Sequence, residues 1–378
     1  MTYYLDYAAT TPLDERVLEA MLPYFKEVYA NPSSLHDLGQ RARRGVEEAR
    51  EQVAYAIGAK PKEIIFTSGA TEADNQAIRA VADKYPNGHI VTSDLEHAAV
   101  LTTCQTLVQQ GHNVSFLKPN EHGEITADGV RDALRDDTVL VALMKVNNET
   151  GVSTDISAVS ELLKGTNTLL FCDAVQAFGF ETLDVNELGV DLLSLSAHKL
   201  YGPKGVGVLY VREGLELSPL LWGGEQERGL RAGTHNVPAI VGMGAAAQLA
   251  TERLGEAQKL AGLRDGFEAK LSGVEGVSVN GGAAKRGPKH SNVQVRGVDG
   301  EALLMNLDAL GVCVSAGSAC AAGSLEPSHV LTAMGLPPER AKASIRFSLG
   351  HGVTESFLDE VVTRFTEAVT RCRRFAEF

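Results

Sequence analysis

The chain has 378 residues, of which 44% are hydrophobic and 22% are charged, and its formal net charge is -13. This composition is typical of a globular protein, and the length predicts one large domain and a smaller one. The negative charge argues against a nucleic-acid partner, because nucleic-acid affinity rests on clustered Lys and Arg. The sequence has no signal-peptide pattern and no run near the ~20 apolar residues of a membrane span, so we expect a cytoplasmic protein without a membrane partner.

The five cysteines are odd in number and scattered along the chain, without CxxC spacing. This distribution argues against a disulfide framework and against a zinc site. It favours reduced thiols in a reducing compartment.

Two helices are predicted in the first part of the chain. An extended segment carrying Asp6 precedes a helix over residues 14–29, and the apolar face of that helix consists of Val17, Leu18, Met21, Leu22 and Phe25. A turn at residues 31–34, NPSS, separates it from a charged helix that ends near Gly58. Asn31 could approach a ligand from this turn, although the sequence alone favours a linker.

A predicted strand over residues 63–67 leads directly into the small residues Ser68, Gly69, Ala70 and Thr71, and then into a helix to about residue 85. Small residues at this point expose backbone N–H groups and the positive end of the helix dipole, which suits a phosphate group. A side-chain cap by Ser68 or Thr71 explains the same pattern and is favoured when the segment is taken alone. The segment is neither GxGxxG nor a Walker loop, so dinucleotide or nucleoside-triphosphate binding has little support.

Two further predicted strands, residues 89–93 and 139–146, also end in polar residues. The first is followed by His97 at the start of a helix, and the second by Asn148. A histidine in that position is commonly a capping residue, although an imidazole could also stack on a cofactor ring and move protons near neutral pH. The alternation of strands and helices predicts a mainly parallel sheet wrapped by helices, with polar residues gathered at one edge.

Two apolar runs, residues 168–172 and 192–196, are typical of buried strands. The polar residues that follow them are Asp173 and Gln176 after the first, and His198 and Lys199 after the second. Ligands bind at the carboxyl ends of strands in open α/β sheets, so we expect Asp173 and Lys199 to face one pocket. A lysine can form a Schiff base with a carbonyl cofactor and a buried carboxylate can keep a pyridine nitrogen protonated, which are the two needs of pyridoxal 5'-phosphate. Lys199 taken alone is more typical of a solvated lysine at a strand end.

The remaining elements predict a second domain. Residues 236–271 are expected to be helical, short strands are expected around Val277 and Val293, and a helix over residues 300–310 and a strand over 344–348 precede a final helix. We predict a large domain over residues 15–250 and a smaller α+β domain formed from residues 1–14 and 251–378.

Eight segments occur in a characteristic order: NPSSLH, FTSGATEADN, EHAAV, VNNETG, DAVQ, SAHKLYGPKG, ERGLRAGT and VSAGSAC. With LDYAATTP near the start and SIRFSLG near the end, the chain resembles the NifS/IscS family of pyridoxal-phosphate-dependent cysteine desulfurases, in the class V aminotransferases. The resemblance implies the α/β transferase fold of the aspartate-aminotransferase type. It also implies a large domain with a mainly parallel sheet, a smaller α+β domain and a homodimer.

The resemblance implies which residues hold the cofactor. Lys199 forms the Schiff base, Asp173 pairs with the pyridinium nitrogen, and His97 stacks on the ring. Gln176 and Asn148 contact the ring oxygen. The phosphate group is assigned to Ala70, Thr71, Ser196, His198 and, from the second subunit, Thr234.

The resemblance also implies how L-cysteine is bound and converted to L-alanine. Arg346, helped by Asn31, holds the substrate carboxylate, because a planar guanidinium suits a bidentate contact. The freed Lys199 amine takes the Cα proton, and the Cys320 thiolate attacks the substrate sulfur with proton transfer through His97. Cys320 then carries a persulfide to an iron–sulfur scaffold or another acceptor protein, and it is also a possible transient iron–sulfur ligand.

Sulfur chemistry rests on residues 315–324, SAGSACAAGS, in which every residue except Cys320 is Ser, Ala or Gly. Such a run buries little apolar surface and predicts a mobile loop. A thiol on a flexible arm suits sulfur delivery, because it must enter the pocket and then reach an acceptor. A tight turn in which cysteine is merely a small residue is the alternative.

Other activities share part of this pattern. A selenocysteine lyase or cysteine sulfinate desulfinase would have the same cofactor residues, and the long cysteine loop favours cysteine as the main substrate. An aminotransferase of the same fold would use Lys199 and Asp173 but not Cys320. A non-enzymatic sulfur carrier or scaffold is opposed by the complete set of cofactor residues.

Overall fold

A seven-stranded sheet lies at the centre of the larger part of the molecule, in a computed structural model that describes residues 2–317 and 326–376. Its strands, in spatial order, are β2 (Ile64–Thr67), β8 (Gly207–Val211), β7 (Leu192–Ser196), β6 (Leu169–Asp173), β5 (Thr138–Met144), β3 (His89–Ser93) and β4 (Asn113–Leu117). The five strands from β7 to β4 are mutually parallel, and β8 is antiparallel to both β7 and β2. Because two reversals cancel, β2 points the same way as the parallel strands. The prediction of an α/β fold with a mainly parallel sheet is confirmed.

Helices cover both faces of this sheet, because successive strand residues point to opposite faces and both sets are apolar. In β6, Leu170 and Cys172 belong to the core on one face and Phe171 to the core on the other. The second face is covered by α4 (Ala70–Lys84) and α5 (Ala98–Gln109). The first core takes residues from α1 (Glu15–Met21), α3 (Asp37–Ala56), α6 (Ala127–Ala133), α7 (Ile156–Leu163), α8 (Val185–Leu188), α9 (Val237–Arg253), α12 (His329–Ala333) and α13 (Pro338–Lys342).

A second hydrophobic core is built from both ends of the chain. Its strands are β1 (Tyr3–Tyr4), which pairs with β11 (Val312–Cys313), and the antiparallel set β9 (Val277–Val279), β10 (His290–Val295) and β12 (Ser344–Ser348). Its helices are α10 (Ala257–Ser272), α11 (Gly300–Ala309) and α14 (Glu355–Ala376). The exact residues at which the two predicted domains divide stay a prediction.

The helix predicted over residues 14–29 is interrupted, and this expectation was wrong. The structure has α1, which ends at Met21, and then a separate short helix, α2 (Pro23–Lys26). Proline has no N–H to donate to the preceding turn, so Pro23 starts a new helix instead of continuing the old one. The expected apolar face is split as a result: Val17 and Met21 are buried, whereas Leu18, Leu22 and Phe25 are 41%, 44% and 57% exposed.

Two strands of the large sheet, β4 and β8, were not predicted from the sequence. The helical region expected over residues 236–271 consists of α9 and α10 joined by a 3₁₀ turn at Leu254–Glu256. Within the described parts of the chain, no helix combines the length and the apolar composition needed to cross a membrane.

Candidate active site

A cavity of about 520 Å³ lies where the carboxyl ends of the large sheet's strands meet β12 and residues 6–11, which we call the N-terminal turn. Most of the predicted site residues line it: Ala70, Thr71, His97, Asn148, Asp173, Gln176, Ser196, His198, Lys199 and Arg346. They come from segments far apart in the sequence, so the fold brings the predicted groups into one space.

Among the described residues, two predicted site residues are not in the lining of this cavity. Asn31 is exposed, and its Oδ1 accepts a hydrogen bond from Ser33 N at 2.9 Å, as in the linker turn that the sequence alone favoured. Thr234 is also exposed, and its predicted contact is with the cofactor of a second subunit. Cys320 lies outside the described residues.

Asp173 is the last residue of β6 and is buried at the base of the cavity. Its Oδ1 accepts a hydrogen bond from Val175 N at 3.0 Å, which fixes the orientation of the carboxyl group. Burial raises the pKa of Asp173, while His97 and Lys199 act in the opposite direction. A cationic group placed against this carboxyl would therefore stabilise its ionised form.

Lys199 lies in a 3₁₀ turn that directly follows β7. Its Nζ donates hydrogen bonds to Ala8 O at 2.6 Å and Ala9 O at 2.7 Å, both in the N-terminal turn. The chain then turns sharply at Tyr201, which has a φ of 65° and whose N–H donates to Thr11 Oγ1 at 2.8 Å. The N-terminal turn thus holds Lys199 at the carboxyl end of the sheet's parallel strands.

The start of α4 forms an open set of backbone donors at the cavity. Gly69 is the N-cap and makes no side-chain capping bond, so the expected alternative of a cap by Ser68 or Thr71 is not what the structure has. Instead, Glu72 accepts a hydrogen bond from Ser68 N at 2.8 Å and pairs with Arg231 at 2.9 Å. Gly207 of β8 packs so closely that a Cβ there would lie 2.7 Å from Gly69 Cα. The arrangement suits an anion at the helix N-terminus.

His198 and Ser196 lie beside this helix start. Burial, together with the nearby Lys199 and Lys204, lowers the pKa of His198 to about 4, so its imidazole is neutral at physiological pH. Its Nδ1 lies 3.2 Å from Thr10 Oγ1 of the N-terminal turn.

His97 is both a helix cap and a cavity residue. Its Nδ1 accepts a hydrogen bond from Ala99 N at 3.1 Å at the start of α5. Because Nδ1 is an acceptor, the neutral ring carries its proton on Nε2.

Arg346 enters the cavity from β12 and its side chain is only 1% exposed. Its Nη1 donates to Asn148 O at 3.0 Å and its Nη2 pairs with Asp6 Oδ1 at 2.7 Å. Its Nε has no hydrogen-bond partner among the described residues. A carboxylate that entered the cavity would find a fixed guanidinium with N–H groups to spare.

Sequence analysis missed two buried acids next to Asp173. Asp74 lines the cavity one helical turn after Ala70, and Glu96 lies behind it and accepts a hydrogen bond from Ser93 Oγ at 2.6 Å. Burial and the neighbouring Asp173 raise the pKa of Asp74 well above its ordinary value, and burial does the same for Glu96. The signal available in the sequence for Asp74 was its place in a helix among the apolar residues Ala73, Ala77 and Ile78, which indicates a buried acid.

The residues present fit pyridoxal phosphate. The donor set provides an amine on Lys199, a carboxyl group on Asp173 and a helix start with free N–H groups. Asn148 Oδ1 and Arg346 Nε are buried without hydrogen-bond partners in the part of the chain that the structure describes. Buried polar atoms are nearly always satisfied, so these two indicate a polar ligand.

Comparison with known proteins gives a consistent result. The aminotransferase class-V family matches residues 3–361. The cysteine desulfurase IscS of Dictyoglomus turgidum is 46% identical over 379 residues, which is 99% of this chain and 96% of that protein. A solved NifS-like protein superposes with a TM-score of 0.92 at 37% identity, covering 98% of this chain and 100% of that one. A structure of SspA in complex with cysteine superposes with a TM-score of 0.82 at 39% identity, covering 92% and 99%.

Proposed function

Since the chain belongs to the class-V aminotransferase family and is a pyridoxal-phosphate-dependent cysteine desulfurase, we propose that it transfers the sulfur of L-cysteine to Cys320 as a persulfide and releases L-alanine. The observation that carries this proposal is the convergence of an amine, a carboxyl group and a guanidinium on one cavity, from Lys199, Asp173 and Arg346. A pyridoxal-phosphate enzyme that acts on an amino acid needs all three groups. The amine and the carboxyl group hold the cofactor, and the guanidinium holds the carboxylate of the substrate.

The cofactor's place follows from the walls of the cavity. Lys199 would hold its aldehyde carbon, Asp173 its ring nitrogen, and Asn148 and Gln176 its ring oxygen. The start of α4, with Ser196 and His198, would hold the phosphate group, and His97 would cover the ring. When bound, pyridoxal phosphate supplies an electron sink for the substrate's Cα.

The protein's own groups then bind the substrate and move its protons. Arg346 fixes the carboxylate, and Lys199, once free, takes the proton from Cα. Lys199 Nζ donates hydrogen bonds to Ala8 O and Ala9 O. These two carbonyls would keep the amine near the substrate Cα. Asn31 as a helper of Arg346 stays a prediction.

Sulfur transfer is a balanced exchange between the substrate and Cys320. A bond forms between the Cys320 sulfur and the substrate sulfur, and the substrate C–S bond breaks. The carbon fragment takes up a proton and leaves as alanine, so L-cysteine and one thiol yield L-alanine and one persulfide. His97 is placed to pass a proton, because its Nε2 is the ring nitrogen that does not cap α5.

The proposal includes partners. A homodimer would bring Thr234 of the second subunit to the phosphate group, which is supported by the exposure of Thr234 away from its own cavity. The persulfide would pass to an iron–sulfur scaffold or another acceptor protein, with Cys320 as a possible transient cluster ligand. Among the described residues, the cysteines Cys104, Cys172, Cys313 and Cys372 are free, which supports the proposed cytoplasmic location.

The test is alanine and sulfide release from L-cysteine with a thiol reductant, measured for the wild type, Cys320→Ala and Cys313→Ala. We expect equal amounts of alanine and sulfide from the wild type and from Cys313→Ala, and neither from Cys320→Ala. All three proteins should keep the visible absorption of the bound cofactor. If Cys320→Ala turns over as the wild type does, the sulfur does not pass through Cys320 and a lyase mechanism replaces the proposal.

A further inference from the structure

We infer that Asp6 is a positioning residue that sets the orientation of Arg346 and so makes the cavity selective for amino acids that keep their carboxylate. The inference rests on the proposed role of Arg346 in binding the substrate carboxylate. It concerns the N-terminal turn, which the cofactor assignments leave without a side-chain role.

Arg346 is fixed at two of its three nitrogens. Nη1 donates to Asn148 O at 3.0 Å, and Nη2 pairs with Asp6 Oδ1 at 2.7 Å. The contact with Asp6 is the shorter of the two, so Oδ1 of Asp6 is the acceptor that sets the position of Nη2. A guanidinium that is 1% exposed cannot be solvated by water instead, and without Asp6 it would turn toward other acceptors.

Asp6 is itself held in place on every side. Its Oδ2 accepts a hydrogen bond from Ser315 Oγ at 2.9 Å, and its backbone oxygen accepts from Ala9 N at 2.9 Å and Tyr4 Oη at 3.1 Å. Because both carboxylate oxygens have partners, the carboxyl plane of Asp6 is fixed, and it fixes Nη2 of Arg346.

The backbone adds a second constraint on the same group. Arg346 N donates to Ser315 O at 2.7 Å, and Ser315 N donates to Arg346 O at 3.3 Å. Ser315 thus holds the main chain of Arg346 while its hydroxyl holds Asp6. Asp6, Ser315 and Arg346 form a closed ring of contacts. Nε of Arg346 has no partner among the described residues, and Nη1 and Nη2 each carry a second N–H. These are the donors that the ring of contacts leaves for a substrate carboxylate.

Two variants separate position from charge at this residue. Asp6→Asn removes the charge and keeps the length and an acceptor oxygen, whereas Asp6→Glu keeps the charge and moves it by one methylene. If Asp6 acts by position, Asp6→Asn should work and Asp6→Glu should not. Ser315→Ala tests the same ring from its other side, by freeing one oxygen of Asp6.

The measurement is a titration of the holoenzyme with L-alanine and with ethylamine, which is alanine without its carboxylate, followed by the visible absorption of the cofactor. The dissociation constant of ethylamine divided by that of L-alanine reports carboxylate recognition alone, and a lower ratio means weaker recognition. We expect Asp6→Glu to lower this ratio about tenfold and Ser315→Ala about threefold, because a small displacement of a binding group is costly. Asp6→Asn should stay within about threefold of the wild type. With L-cysteine, Asp6→Glu should raise KM and change kcat little.

Arg346→Gln distinguishes failure of this inference from failure of the proposed function. It should lower the ratio by about a hundredfold or more, because it removes the charged partner of the carboxylate. If Arg346→Gln lowers the ratio and Asp6→Glu leaves it unchanged, or if Asp6→Asn is as poor as Asp6→Glu, the positioning role of Asp6 is wrong. If Arg346→Gln also leaves the ratio unchanged, the carboxylate role of Arg346 fails, and that of Asp6 with it.

Discussion

The two walls of the cavity are built in different ways. The sheet wall presents side chains at strand ends, with Asp173 as the last residue of β6 and Lys199 shortly after β7. The N-terminal turn faces it and presents mainly backbone: Ala8 O and Ala9 O accept from Lys199 Nζ, and Ala8 O also accepts from Gln176 Nε2 at 3.0 Å. In the proposed function the sheet wall therefore carries the reactive groups, and the N-terminal turn holds them in place.

Because of this division, we expect the two walls to respond differently to substitution. A change on the sheet wall removes a group that takes part in chemistry. A change on the N-terminal turn, or behind it, alters the position of such a group and the stability of the fold. The predictions below follow that order, from loss of activity to modest loss of stability.

Lys199→Ala should have the largest effect, because the proposed function assigns both the bond to the cofactor and the proton transfer from Cα to this one amine. We expect turnover of L-cysteine to fall by a factor of about a hundred to ten thousand. After borohydride reduction and denaturation, the wild type should keep the cofactor's absorbance and the variant should lose it. Retention of that absorbance by Lys199→Ala would place the covalent bond elsewhere.

Asp173→Asn should come next, because an amide cannot stabilise a cationic ring nitrogen. We expect turnover to fall about a hundredfold to a thousandfold with the cofactor still bound. The control is Asp191→Asn. Asp191 directly precedes β7, at the end of the strands away from the cavity, and accepts a hydrogen bond from Leu170 N at 2.8 Å. Similar losses for both variants would show an effect of fold stability and not of chemistry.

Asp74→Asn should change the pH dependence of stability. Burial raises the pKa of Asp74, so the folded state keeps a proton that the unfolded chain has lost, and this group weakens the fold as pH rises above the unfolded pKa. As pH rises above about 4, the unfolded pKa of an aspartate, the wild type should lose free energy of unfolding relative to the variant, by at most about 1.4 kcal/mol per pH unit.

Urea unfolding at several pH values measures this difference. Asp83→Asn, which replaces an exposed acid on the same helix, is the matched control. Because it keeps Asp74, its free energy of unfolding should follow the wild-type pH profile. Parallel pH profiles for the wild type and Asp74→Asn would mean that Asp74 is ionised in the folded protein.

Ser348→Ala should have the smallest effect, and it probes the support of the N-terminal turn. Ser348 is fully buried, and its Oγ accepts a hydrogen bond from Ala8 N at 2.8 Å. Removing it leaves a buried N–H without a partner, which should cost about 1–3 kcal/mol in the free energy of unfolding. Ser278→Ala, at an exposed position on β9 in the same sheet, should cost less than about 0.5 kcal/mol. Equal costs for the two variants would show that the turn does not depend on this bond.

The sheet wall was predictable from the sequence, and the N-terminal turn was not. Asp173 and Lys199 follow strands whose apolar runs mark them locally, and the carboxyl ends of parallel strands share one edge. The turn's contacts join residues that are far apart: Asp6 and Arg346 are separated by 340 positions, and Ala8 and Lys199 by 191. No local pattern encodes such a pairing, because it depends on how two cores pack together.

An interrupted helix and an internal strand of the large sheet were also missed. The apolar spacing over residues 14–29 suggested a single buried face, yet the missing N–H of Pro23 ended the first helix at Met21. The strand β8 has five buried residues, and what sets its antiparallel direction is its place between β7 and β2.

The intact mass of the holoenzyme after one equivalent of L-cysteine, without reductant, is the direct test of sulfur transfer to Cys320. We expect the wild type and Cys313→Ala to gain the mass of one sulfur atom, which a thiol reductant removes, and Cys320→Ala to gain nothing. A sulfur adduct on Cys320→Ala, or alanine release from the wild type with no adduct, would show that Cys320 does not accept the sulfur.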